Sequence, residues 1–386
     1  MTYFFIAGEA SGDSHAAALI QKLKILDPQA AVYGMGGDRM KQAGCTLLQD
    51  YRNMAFMGVM AVLVNLPKVI RNFRIAKQAL LKQQPDVLVL IDYPSFNLRM
   101  AKFSKRHLPR TKIVYYIPPK VWAWKTWRIH ALCKYTDERL TIFPFETDFY
   151  KQYGYTVTYV GNPTVEQINQ YIEKKKTERK QQTAPHSPTI ALLPGSRLSE
   201  IKHCLPRMLQ AARRINGAEI LIAAAPGIEE KTYASMTRFP NVRLLSGQTY
   251  DILSCADVAV VNSGTATLET ALLRCPQVAV YHINFGSKFM VRWLKPLLFK
   301  ISYFTLVNII AGKAVIRELL AYEFTTDNLT SELHHLLSNQ AYRSQMLENY
   351  EQISRNLSFS SASSTAAKTI YNLAKKDNVG HTTANL

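Results

Sequence analysis

Apolar residues in this chain come in short unbroken runs, and each run is followed by a longer stretch with helical spacing. In the first half Tyr3–Ala7, Ala31–Met35, Val87–Ile91, Ile113–Ile117, Leu140–Phe143 and Thr156–Val160 read as strands. In the second, Thr189–Leu193, Glu219–Ala224, Val242–Leu245, Val258–Val261 and Gln277–Tyr281 do. Continuous β-branched and aromatic runs fit strands buried on both faces, and their alternation with helices predicts parallel sheets built from βαβ units. Residues 173–188, "EKKKTERKQQTAPHSP", are charged, Pro-punctuated and almost free of apolar side chains, as a linker would be. The pattern therefore predicts two α/β domains, 1–165 and 189–345, with a linker over 166–188. Helices at 346–376 are expected to pack back on the first half, ahead of a flexible tail at 377–386. No short repeat is present, so the likeness of the halves is one of architecture.

Ligands in such folds bind at the carboxyl ends of the strands, in a cleft. The first strand end is "AGEASGD", Ala7 to Asp13. A Gly turn opening a helix usually receives a phosphate on its free N–H groups, but Glu9 and Asp13 would repel one. The second half offers better anion sites. "VVNSGTATLE", Val260 to Glu269, runs from a strand through helix-start residues into a helix, with no acid in the turn. Ser263, Gly264 and Thr265 would face a phosphate, and Glu269, one turn on, would accept hydrogen bonds from a ribose diol. "LLPGSR" adds Arg197, whose planar fork neutralises a diphosphate. Either turn alone also fits an ordinary helix cap; two in one sheet point to a nucleotide domain. Neither a G-x-G-x-x-G nor a G-x-x-x-x-G-K-[ST] loop occurs, and no D-x-D pair or metal-ligand spacing is found, so no cofactor and no metal are expected.

Two first-half stretches carry further chemistry. "VLVLIDYPSFN" ends a strongly apolar strand with Asp92, where enclosure would raise a carboxyl pKa and suit a general base; a turn cap is the alternative. "IPPKVWAWKTWR" gathers Trp122, Trp124 and Trp127 after a strand end, which fits a pocket wall for a sugar or acyl chain.

Charge adds a partner. With 47 Lys and Arg against 28 Asp and Glu, the net charge is +19, so an anionic partner is expected. The segments at 54–74 and 285–304 interleave apolar residues with Lys and Arg, as an interfacial surface on an anionic bilayer would; buried core helices are the alternative. No recognisable nucleic-acid-binding motif is present. Five scattered cysteines without a C-x-x-C fit a reducing compartment, and neither a signal peptide nor a membrane span is read.

Taken in order, "AGEASGD", "MGVMAVL", "IDYPSFN", "VWAWK", "LLPGSR", "SGTATLE" and "LVNIIAGK" resemble the lipid-A-disaccharide synthase family from about residue 3 to 320. The resemblance implies a GT-B fold, two Rossmann-like domains facing a cleft. It implies an inverting transfer from UDP-2,3-diacylglucosamine to 2,3-diacylglucosamine 1-phosphate at the cytoplasmic face of the inner membrane. It further implies Asp92 as base, and Glu9, Ser11 and Asp13 with Trp122 and Trp124 on the acceptor side. The donor side takes Arg197, Ser263, Gly264, Thr265, Glu269, Asn308 and Gly312. Two positions depart from the family's commoner form: Ser95 stands where an aspartate is usual, and Lys120 where a serine is usual. A UDP-sugar epimerase, the GlcNAc transferase of peptidoglycan synthesis, a nucleic-acid-binding protein and a non-enzymatic lipid carrier are the rival readings. Oligomeric state is not legible.

Overall fold

The structure, a computed structural model, describes all residues except 55–65, 124, 177–186, 226, 235, 263, 283–302, 358–360 and 383–386. The chain forms two compact units, residues 1–163 with 358–386, and residues 164–357.

In the first unit, the strands are β1 (Thr2–Ala7), β2 (Ala31–Gly36), β3 (Thr46–Asp50), β4 (Val87–Ile91), β5 (Lys112–Tyr116), β6 (Glu138–Thr141) and β7 (Thr158–Tyr159). Its helices are α1 (Ala10–Leu26), α2 (Asp38–Gln42), α3 (Leu66–Gln83), α4 (Pro94–His107), α5 (Arg128–Tyr135) and α6 (Phe145–Gln152). The sheet order is β3-β2-β1-β4-β5-β6-β7, and every pairing is parallel. Successive side chains of a strand point to opposite faces, so each central strand feeds two cores. Tyr3, Phe5 and Ala7 of β1 pack with Leu19, Ile20 and Leu23 of α1. Phe4 and Ile6 pack on the other face with Ala76 and Leu80 of α3 and with Phe96 and Met100 of α4.

The second unit contains helix α7 (Pro163–Lys176), then β8 (Thr189–Leu193), α8 (Leu198–Ala212), β9 (Glu219–Ala224), β10 (Val242–Ser246), α9 (Thr249–Cys255), β11 (Val258–Asn262), α10 (Thr265–Leu272) and β12 (Gln277–Tyr281). It continues through α11 (Leu306–Ala311), β13 (Glu318–Leu320), α12 (Thr326–Ser338) and α13 (Gln340–Leu357). Its sheet order is β10-β9-β8-β11-β12-β13, again parallel throughout. A last helix, α14 (Ala362–Thr382), belongs to the first unit.

The architecture departs from the sequence expectation at three places. Residues 163–176 are helical where a linker was read from 166. Val165 and Ile168 are buried and Tyr171 bonds Asp251, so the charged residues there form the solvated face of an amphipathic helix. Residues 340–357, expected on the first half, belong to the second unit. Met346, Tyr350, Ile353 and Leu357 are buried in the second unit, where Gln277 Nε2 donates to Tyr350 Oη at 3.2 Å. Only α14 packs on the first unit, its Ala366, Ala367 and Ile370 against α1, and its backbone stays helical to Thr382 where a tail was expected from 377. The half-exposed edge strand β3 and the three-residue β13 lacked an apolar run long enough to read.

Candidate functional site

Both sheets reverse direction of strand order at their centre, between β1 and β4 in one and between β8 and β11 in the other. Helices leave such a pair toward opposite faces, and the gap opened at the carboxyl ends is where ligands bind in open α/β sheets. The sequence-predicted residues gather at these two places, each within its own unit.

In the first unit Ala7 is paired with Ile91, so the Gly8–Glu9 turn lies beside the Asp92–Tyr93 turn. Asp92 and Tyr93 hold φ values of 45° and 48°, a left-handed pair without glycine. Such a turn persists only when its surroundings fix it. Asn97, fully buried, donates from Nδ2 to the Asp92 carbonyl at 2.8 Å and to that of Ile91 at 3.1 Å, and Tyr115 Oη donates to the same Asp92 carbonyl at 2.6 Å. The Tyr93 hydroxyl reaches the Met54 carbonyl at 2.6 Å, and its ring lies so close over Gly8 that a Cβ there would sit 2.3 Å from it. The result is a fixed backbone from which the Asp92 side chain departs at the end of β4. Burial raises the Asp92 pKa above the ordinary carboxylate value, against the pull of the nearby Lys120 ammonium and the Tyr93 N–H. Lys120 is crowded by protein, which lowers its pKa, while Asp92 and Glu146 raise it. Its side chain still reaches solvent, so the accessible ammonium argues for a small displacement.

Other first-unit candidates fall into different roles. Glu9 is half-buried at the start of α1 and close enough to raise the Tyr93 pKa; Ser11 is exposed. Asp13 is engaged by backbone. Its buried carboxylate accepts from Gly37 N at 2.7 Å, Arg39 N at 3.1 Å and Met40 N at 3.1 Å, and so closes the N-terminus of α2. Trp122 is buried: its ring meets Phe143 and Phe145 edge-on and its Nε1 donates to Glu146 at 3.1 Å. Trp124 lies outside the described residues, and Trp127 is exposed.

In the second unit an open cleft of about 550 Å³ lies at the β8 and β11 strand ends. Arg197, Gly264, Thr265 and Glu269 line it, together with Asn262, Tyr250 and Tyr281. Its two helix starts differ. At α8 the Glu200 carboxylate already accepts from Ser196 N at 3.1 Å and Arg197 N at 3.2 Å, and pairs with the Arg197 guanidinium at 3.2 Å. At α10 the cap residue is Gly264, which offers no side chain to the first-turn N–H groups. Its φ of 148° with ψ of −155° is a conformation reserved for glycine. The uncapped helix start is the better seat for an anion. Glu269 is raised in pKa by burial and accepts from Tyr250 Oη at 3.2 Å. Asn262, read from sequence only as a helix-start residue, ties the two strand ends through Nδ2 to the Pro194 carbonyl at 3.1 Å. Its buried Oδ1 has no partner among the described residues.

Asn308 and Gly312 are not among the residues that line this cleft. Asn308 is buried, accepts from Val315 N and Ile316 N on Oδ1, and donates to the Ile316 carbonyl and to Glu318. Gly312 closes α11 at φ 66°. Ser263 lies outside the described residues. Tyr250, Asn97, Tyr115 and Glu146 escaped sequence reasoning because each acts through a tertiary contact with no local pattern to mark it.

Comparison with known proteins gives the family and the fold. The family model for lipid-A-disaccharide synthetase matches residues 3–370. A lipid-A-disaccharide synthase of Myxococcus xanthus is 34% identical over 374 residues, covering 95% of this chain and 96% of that protein. One of Nitrosococcus oceani is 35% identical over 382 residues, covering 97% of each. Among solved structures, the glycotransferase of kitacinnamycin superposes with a TM-score of 0.64 at 11% identity, covering 96% of this chain and 98% of that one. UDP-GlcNAc 2-epimerase from Neisseria meningitidis bound to UDP-GlcNAc gives 0.62 at 12% identity, covering 97% and 100%. Such distant likeness speaks to the fold alone. With the family model matched along nearly the whole chain and curated relatives matched end to end, the chain belongs to the lipid-A-disaccharide synthase family, glycosyltransferases of GT-B fold.

Proposed function

We propose that the chain condenses UDP-2,3-diacylglucosamine with 2,3-diacylglucosamine 1-phosphate, releasing UDP and the β-1,6-linked disaccharide 1-phosphate. The observation that carries the mechanism is Asp92, a carboxyl-bearing residue at a strand end whose backbone carbonyl is held by Asn97 and Tyr115 and whose side-chain pKa is raised by burial. The acceptor 6-hydroxyl gives its proton to Asp92 and its oxygen attacks the donor's anomeric carbon. The bond from that carbon to UDP breaks, with the electron pair leaving on the diphosphate oxygen. One displacement from the far side inverts the configuration and needs one base and no covalent intermediate. The α10 start at Gly264 and Thr265, with Arg197, stabilises the departing diphosphate, and Glu269 takes the ribose diol. Ser263 is assigned to the same cradle from its place in the motif, while buried Asn308 supports the donor unit from within and exposed Gly312 ends the helix that carries it. Glu9 and Ser11 are assigned to the acceptor.

The acyl substrates place the enzyme peripherally on the cytoplasmic face of the inner membrane. No described helix is long and apolar enough to cross a bilayer. Supporting the surface reading, Leu66 and Ile70 of α3 are exposed. Beside them a groove of about 440 Å³ between α3 and α4 is lined by Phe73 and Phe103 with Lys77, Arg99, Lys102 and Arg106, and by no acid. Apolar side chains ringed by cations match an anionic bilayer. Most of the other sequence-marked segment, 283–302, lies outside the described residues.

The test is UDP release by purified protein with donor, with and without acceptor, and the product weighed by mass spectrometry. Acceptor-dependent UDP and a disaccharide 1-phosphate are expected. UDP formed equally without acceptor, or an epimerised donor, overturns the transferase assignment.

A further inference from the structure

Three neighbouring strand ends converge near Asp92. Asp92 follows β4 and its N–H donates to the Tyr116 carbonyl at 3.2 Å; the segment 117–123 follows β5, and Ile117 N donates to the Leu140 carbonyl of β6 at 3.1 Å. The middle segment closes short turns of its own, Val121 N to the Pro119 carbonyl at 2.6 Å and Ala123 N to the Lys120 carbonyl at 3.0 Å. It also carries Pro118 and Pro119, which lack N–H donors to tie it to a neighbouring strand, and begins at Ile117 with a φ of 58°. Yet Lys120, on that segment, is the cation that acts on Asp92.

What ties these turns to the next strand end is Glu146, 2% exposed, at the start of α6. One carboxylate oxygen accepts from Trp122 Nε1 at 3.1 Å; the other accepts from Ile142 N at 3.1 Å and Phe143 N at 3.0 Å. The carboxylate thus joins the turn after β6 to the indole two residues beyond Lys120. The edge-on contacts of Trp122 with Phe143 and Phe145 pack the same joint. A buried acid costs free energy unless its lone pairs are met, so a carboxyl here rather than an apolar side chain calls for a reason.

We propose that Glu146 is a positioning residue for the transfer: by binding the Trp122 indole and the 142–143 turn together, it holds the 117–123 segment, which carries Lys120, against the strand end that bears Asp92. The inference rests on the assignment of Asp92 as the base. The groups that face the pair are few. Tyr115 and Lys120 face Asp92, the Tyr93 N–H bonds it and Glu9 faces Tyr93 beside it, while Lys120, Tyr150 and Tyr159 face Glu146. Burial raises all four tyrosines, which stay neutral through the working range. Lys120 is then the charged group through which movement of the segment reaches Asp92.

The experiment is the pH profile of kcat/KM for wild type, E146Q, W122F and K120M, with D92N alongside. K120M removes the cation directly, and its acidic limb should move to higher pH. E146Q and W122F should move the limb in the same direction, toward the K120M value. A misplaced catalytic constellation also lowers kcat, by up to about 10²-fold, while the donor KM stays within about twofold because the donor cleft lies in the other unit. W122F keeps the carboxyl and most of the ring volume, so it reports even if E146Q folds poorly. Limbs unchanged in E146Q and W122F while K120M shifts would overturn the proposal and leave Glu146 a packing residue. If D92N instead keeps its turnover, the base assignment itself is the part that fails.

Discussion

Replacing Asp13 separates a ligand-binding turn from a structural one, and the structure gives the size of the effect. Its carboxylate serves three backbone N–H groups. Those of Gly37 and Met40 are in buried residues and that of Arg39 is in an exposed one. Asp13→Ala leaves two buried donors unmet, at about 1–3 kcal/mol each, so a loss of about 4 kcal/mol is expected; the Arg39 N–H can turn to water. Asp13→Asn keeps one acceptor oxygen, able to serve Gly37 and Met40 as Oδ1 now does, and turns its amide toward Arg39. It should cost about 1–2 kcal/mol. For a unit of this size roughly 2–4 °C of melting temperature accompanies each kcal/mol, so calorimetry of the first unit's transition should separate Asn from Ala clearly. The acceptor KM of Asp13→Asn should remain that of the wild type. A large rise in acceptor KM with no loss of stability would refute this reasoning and return Asp13 to the substrate.

Gly264→Ala meets no neighbouring atom, so its cost is backbone strain alone, about 1–3 kcal/mol. That should weaken UDP binding by up to about 150-fold in titration calorimetry, and unchanged affinity with unchanged melting would dismiss the Gly264 cradle. Burial pushes the Glu146 pKa up to about 7 from 4.5, so the folded unit holds a proton there that the unfolded chain releases. Its contribution to stability is full below about pH 4.5 and lost as pH rises to about 7, a swing of up to roughly 3 kcal/mol. Wild type minus E146Q, melted across that window, should show it, and a flat difference would count against it. Reversing Lys102 and Arg106 to Glu should weaken sedimentation with anionic vesicles by at least about 2 kcal/mol, roughly 30-fold. Equal binding of variant and wild type would move the membrane contact elsewhere.

The central strands were legible because both faces of β1, β4, β8 and β11 are covered and the apolar run is a direct imprint of that burial. The edge strands β3 and β13 and helix α7 were not. Their burial is one-sided, and in α7 the Glu and Lys of the solvent face outnumber the buried Val165 and Ile168. Motif positions told where the site is better than what each side chain does. Gly264 and Glu269 line the cleft, whereas Asp13 and Asn308 are spent on backbone groups 24 to 27 and 7 to 8 residues away. A carboxylate facing a ligand and one facing a distant N–H look alike in sequence. Trp122 shows the same limit: its partner Glu146 lies 24 residues on, so a pocket wall and a buried tie could not be told apart.

The most direct test of the central claim is turnover and UDP affinity of Asp92→Asn. Asparagine tolerates the left-handed backbone that position 92 requires, so the turn should survive. The expected result is a fall in turnover of about 10²–10⁴-fold with the UDP dissociation constant unchanged. Turnover near that of the wild type would contradict the assignment of Asp92 as the base.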